Sequence, residues 1–123
     1  MRRATGRGRT APGAGDGGAW EAVRAEVTAW PGVTLRRRFG RDGLSLRGRL
    51  FACGPGAGDD LWVRLTLPLQ QRALRQAGVL PHPRFARTGW IVLRLRGASG
   101  RSLARRWLAR AYAAAGGPPP DHA

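Results

Sequence analysis

Between residues 33 and 66 the chain offers short apolar runs, VTLRRRFG, GLSL, LFAC and LWVRLT, cut apart by the glycine-bearing segments GRDG, RGR and GPGAGDD. None is long enough for a helix of ordinary length, and each is bounded by turn residues, so this stretch can hardly be anything but antiparallel strands. Val33, Leu35 and Phe39 alternate with polar positions, although Arg37 breaks the apolar series. Leu44 and Leu46 follow the GRDG turn, and LFAC follows RGR. In the fourth run Leu61, Val63 and Leu65 share one face and Trp62, Arg64 and Thr66 the other.

Helical periods flank this meander. In AWEAVRAEVTAW, Trp20, Val23, Val27 and Trp30 fall on one stripe, Glu21 sits in the first turn, and Pro31 and Gly32 end the helix. Pro68 suits the first turn of a second helix, with Leu69, Ala73, Leu74 and Ala77 on its apolar stripe and Gly78 as its expected C-terminal cap. WIVLRLR, from Trp90, alternates as a fifth strand. The last helix takes Ser99 or Ser102 as its expected N-cap and buries Leu103, Trp107, Leu108, Ala111 and Tyr112. The order helix, four strands, helix, strand, helix predicts an α+β fold, an antiparallel five-stranded sheet packed by about three helices.

The chain is long enough for one hydrophobic core and not for two. Residues 1–18 carry no large apolar side chain after Met1 and are expected to form a disordered basic arm rich in glycine and arginine; 116–123, with three prolines, form the matching disordered tail. The folded domain is then 19–115. A net charge of +15 would ordinarily point to a polyanionic partner. Here all 22 basic residues are arginine, beside abundant Ala, Gly and Pro, the composition expected of a GC-rich bacterial genome, which raises charge without selecting a ligand. Cys53 is the only cysteine, which leaves no intrachain disulfide and no cysteine-based metal site and fits a cytoplasmic protein. The N-terminus lacks the apolar stretch of a signal peptide, and no run approaches the ~18 apolar residues of a membrane span.

Little in the domain supports catalysis. Hydrolytic acid-base work needs two carboxylates, or a carboxylate and a histidine, within reach of one bond. The acids are Glu21 and Glu26 on the first helix, Asp42 in a turn, and Asp59 and Asp60 at a loop end, where they offset nearby arginines. Cys53 reads as a small core residue, and GPGAGDD ends in two acids and opens a strand, unlike a phosphate loop. No catalytic residue, metal or cofactor is assigned. The candidate ligand-binding residues are His82, Trp90, Arg87 and Asp60, which a pocket around PHPRFARTGW would bring together. In the alternative reading, Arg36, Arg38, Arg47 and Arg49 contact nucleic acid, with Trp62, Phe85 or Trp90 as stacking faces. The favoured partner is a small molecule or a protein rather than nucleic acid or a membrane.

The residues Trp30, Pro31, Gly32, Val33, Arg38, Phe39, Gly40, Gly48, Arg49, Pro81, His82, Gly89, Trp90 and Tyr112 resemble the luciferase-domain family, small bacterial proteins that share a domain with fungal luciferases. That resemblance covers residues 27–115 and implies an α+β sandwich. The histidines that many members carry after the third strand, and a second one beside His82, are missing here, so the resemblance implies a domain leaning away from enzymatic activity and towards binding. FGRDGLSLRGRLFACGPGAGDDLWVRL, with a following Gly-Trp and Arg106-Trp107-Leu108, is also similar to the TfoX N-terminal and YjbR-like proteins. This second resemblance implies a comparable fold and an accessory role at nucleic acid.

Overall fold

A computed structural model describes residues 11–56 and 58–118. Helix α1 spans Ala11–Thr28, and strands β1 (Val33–Arg38), β2 (Arg41–Leu46), β3 (Arg49–Cys53) and β4 (Asp60–Arg64) follow. Then come α2 (Leu67–Ala73), β5 (Val79–Pro81), a single 3-10 turn at Ala86–Thr88, β6 (Trp90–Arg94) and α3 (Gly97–Ala114). The strands form one antiparallel sheet in the order β1-β2-β3-β4-β6-β5.

The α+β architecture is as expected, but the sheet has six strands rather than five. The additional β5 is three residues long and ends in a proline that cannot donate to a ladder, so it gives no alternation to read and occupies the sheet edge, where proline is tolerated. It pairs with β6 through Val79–Leu93, Leu80–Val92 and Pro81–Ile91. The other edge, β1, carries exposed Arg36, Arg37 and Arg38, charges that discourage pairing with another sheet.

The first turn of the meander differs from expectation, and the second falls within the expected RGR segment. The first is Phe39-Gly40, not GRDG, and the second is Arg47-Gly48; all four residues have φ between 51° and 81°. Two-residue hairpin loops with both central residues left-handed match the right-handed twist of the strands they join. Arg41, Asp42 and Gly43 therefore belong to β2 and pair with Arg38, Arg37 and Arg36. A bulge between Leu44 and Ser45 lets β3 bury Phe51, Ala52 and Cys53 in succession.

The helices cover one face. Val23 and Val27 of α1, Ala73 of α2, and Ala104, Leu108, Ala111 and Tyr112 of α3 close over Leu44, Leu46, Phe51, Leu61, Val63, Ile91 and Leu93. Tyr112 is fully buried, donates its hydroxyl to the Pro31 carbonyl at 2.6 Å and packs at a tilt against Trp30, with ring centroids 5.1 Å apart. Its hydroxyl thus ties the end of α3 to the link between α1 and β1.

Helix limits moved for identifiable reasons. α1 begins at Ala11, since an established helix extends at one hydrogen bond per added residue, so 11–18 are helical instead of part of the arm. Residues 1–10 and 119–123, which hold the rest of the arm and most of the tail, lie outside the described residues. α2 stops at Ala73 with Leu74 as its cap, while Gly78, at φ +88°, serves the turn into β5. Neither Ser99 nor Ser102 caps α3: the helix starts at Gly97 behind Arg96, leaving both serines inside it. No helix among the described residues is long and apolar enough to cross a membrane.

Candidate functional site

Strand alternation sends Asp60, Trp62 and Arg64 of β4, and Trp90, Val92 and Arg94 of β6, to the face without helices. Paired with Trp62 on its other side is Cys53 of β3. Burial pushes the Cys53 thiol up to about 11, which keeps it protonated and unreactive near neutral pH.

The open face is centred on Trp62. The Arg41 guanidinium lies 3.9 Å above its ring, while the indole Nε1 donates to Asp60 Oδ2 at 3.3 Å. Arg41 also donates to the carbonyls of Gly54 (3.0 Å) and Asp60 (3.1 Å), and to Asp60 Oδ2 at 3.1 Å. One guanidinium thus joins β2, the 54–59 loop and β4. His82 meets the Trp62 ring edge-on at 4.3 Å and lies 4.8 Å from Phe85. Phe39 completes the group at 6.3 Å from both Trp62 and Phe85; it is 65% exposed and is held at φ +56°, a region that aromatic residues rarely enter.

His82 is 3% exposed. Its Nδ1 accepts the backbone N–H groups of Arg84 (3.0 Å) and Phe85 (3.1 Å), so the ring proton belongs on Nε2. Burial, reinforced by the Arg41 and Arg84 charges, holds the imidazole below the usual histidine range and keeps it neutral at pH 7. Nε2 is buried without a hydrogen-bond partner among the described residues, an unusual state for a buried polar atom.

Gln70 of α2, 3% exposed, holds this loop in place. Its amide donates to the carbonyls of Ala86 at 2.7 Å and Trp90 at 3.2 Å. The His82 N–H donates to the same Trp90 carbonyl. Gly89, at φ +97°, closes the loop: a side chain there would strike the Leu65 carbonyl, and Leu65 N–H donates to the Gly89 carbonyl at 3.0 Å.

Of the ligand-binding candidates, the structure joins His82 to Asp60 through Trp62 and to Trp90 through the backbone. Arg87 is not in that group; it points to a separate cleft shared with Arg49 and Arg64. Beside the aromatic group lies a depression of about 410 Å³ between Asp60, Trp62, Leu80, Pro83, Val92 and Arg94. Leu80, 52% exposed, forms part of its apolar wall. The nucleic-acid candidates divide into two pairs: Arg36 and Arg38 stand on the β1 edge, Arg47 and Arg49 at the other end of the hairpins. None of these four makes an ion pair among the described residues.

Arg41 and Gln70 are the site residues that sequence reasoning missed. Arg41 would have been found by extending β2 back to the Phe39-Gly40 turn; Gln70 carried no sequence signal. Asp59 behaves as expected, with Arg96 and Arg94 against its carboxylate holding it below the usual range. Among the described residues no carboxylate bonds His82, whose Nδ1 is taken by backbone donors. Among the described residues no cluster of three or more His, Cys, Asp or Glu could hold a metal.

This geometry defines a small α+β domain with helices on one face of an open antiparallel sheet and an aromatic-arginine surface on the other. Neither a family model nor a curated protein matches the chain. Among solved structures it is similar to the Deinococcus radiodurans protein DR2400, which carries a DUF419 domain: 17% identity, 75% of this chain and 74% of that one, TM-score 0.62. At this identity the likeness is one of fold. DUF419 is a family of YjbR/TfoX-like fold, so the second sequence resemblance is met at that level, and nothing in the match bears out the luciferase-domain resemblance. Several residues carrying the latter have structural work: Trp30 and Pro31 receive Tyr112, Gly40 and Gly48 make the hairpin turns, and Gly89 closes a loop.

Proposed function

We propose that the protein is a non-catalytic binding domain that receives a small molecule or a protein side chain on the open sheet face, in the depression beside Trp62 and His82. The observation that carries this reading is the buried, neutral imidazole whose Nε2–H has no partner, set among aromatic rings that Gln70 and Arg41 hold in place. Such a site has the makings of a small pocket, apolar rings for contact area and a few fixed polar groups for orientation. The test is a fragment screen followed by amide and indole NMR shifts. Hits should perturb Phe39, Trp62, His82, Phe85 and Trp90, and His82→Ala and Trp62→Ala should abolish them; hits mapping only elsewhere remove the reading.

A second reading rests on the unpaired Arg36 and Arg38 beside exposed Phe39, a charged edge next to a stacking ring. Here the partner is single-stranded nucleic acid. Its affinity should fall steeply between about 50 and about 200 mM salt and lose slope in the Arg36→Gln/Arg38→Gln double variant. Flat or absent binding at low salt eliminates it.

A further inference from the structure

β3 and β4 pair over only two positions, Ala52 with Val63 and Cys53 with Trp62. Beyond these the strands part, and a cleft of about 360 Å³ opens between Arg49–Phe51 and Arg64–Leu67. Its remaining walls are small residues of α3 and its C-terminal end, Ala111, Ala114 and Ala115, and the turn that carries Arg87 and Thr88. The volume lies in the range of small-molecule sites.

We propose that this cleft binds a small amphipathic anion, a carboxylate on a short apolar chain. Three arginines line it, and among the described residues no carboxylate does. Among the described residues Arg49 and Arg87 make no ion pair, and Arg64 uses only Nε, donating to the Thr88 carbonyl at 3.2 Å, which leaves its two terminal nitrogens for an anion. Arginine presents such nitrogens as a fork that fits a carboxylate. The backbone contact of Gly89 with Leu65 fixes the position of the Arg87 turn against the end of β4. The apolar part of the ligand lies along Leu50, Leu65 and the α3 alanines, and Leu67, 52% exposed, forms the rim. This site lies apart from the Trp62–His82 surface and does not depend on it.

The test is calorimetry of the full chain with decanoate at low ionic strength, with backbone NMR shifts to locate binding. We expect saturable one-to-one binding with shifts at Leu50, Leu65 and Ala114. The Arg64→Gln/Arg87→Gln double variant should lose at least about tenfold in affinity, since hydrogen bonds to charged groups are the strong ones. The Arg36→Gln/Arg38→Gln variant removes equal charge at another place and should change affinity less than about twofold. Ala114→Trp, at an exposed helical position, should block the cleft while keeping the fold, and decanol should bind at least about tenfold more weakly. No saturable binding, equal losses in the two double variants, or decanol binding as tightly as decanoate would each overturn the proposal.

Discussion

The two faces of the sheet are made from the same strands by opposite rules. Towards the helices, Leu44, Leu61, Val63, Ile91 and Leu93 are fully buried and the principal polar group, the Tyr112 hydroxyl, has its acceptor. Towards the open side, the alternate positions carry Arg41, Asp60, Trp62, Arg64 and Arg94, an exposed Phe39 in a left-handed turn, and an imidazole nitrogen with no partner. Unsatisfied polarity lies on the open side, whereas the backbone strain of Phe39 is shared by Arg47 at the other hairpin turn. Folding energy is concentrated in the helix-side face, and the proposed recognition falls on the other.

Substitutions can break that division. Leu93→Ala, at a fully buried position, should cost about 3 kcal/mol by denaturant unfolding and leave fragment binding to the folded fraction intact. An equal loss from open-face substitutions would erase the distinction. Phe39→Asn should leave stability within about 0.5 kcal/mol, because relief of the positive φ offsets the lost ring contacts, yet weaken fragment binding severalfold. A loss of stability comparable to that of Leu93→Ala would place Phe39 with the core.

His82 gives the smallest and most specific effect. Its folded pKa lies below the unfolded value of about 6.5, so the unfolded chain takes up the proton first. Its contribution to stability is complete above about pH 6.5 and is lost as the pH falls from there through the folded pKa. Wild type should therefore lose more stability than His82→Gln between about pH 7 and pH 5, measured as a difference in unfolding midpoint. Parallel pH profiles would mean that the imidazole charges freely in the folded protein.

Much of the helix-side face was legible because burial writes itself into sequence as alternation and helical period. Leu61, Val63, Ile91 and Leu93 and the Pro68 helix start all followed from local pattern, as did the burial of Cys53, although its place opposite Trp62 on the open side did not. The open face was less legible, since its contacts are made by topology. β6 lies between β4 and β5, which brings His82 to Trp62, and Gln70 reaches 20 residues along the chain to the Trp90 carbonyl. No spacing rule anticipates either contact. An aromatic residue in a left-handed turn, as at Phe39, runs against the propensities on which turn prediction rests, so the turn was placed two residues too late.

The two-position pairing of β3 with β4 also bears on how the molecule opens. β1, β2 and β3 form one ladder built from neighbouring hairpins; β4, β6 and β5 form another. Between them stand the hydrogen bonds around Ala52 and Cys53, strapped by α3, which touches β3, β4 and β6. Native-state hydrogen exchange should resolve this sheet into two cooperative units, with the amides along the join released whenever α3 lifts and those inside each ladder surviving until global unfolding.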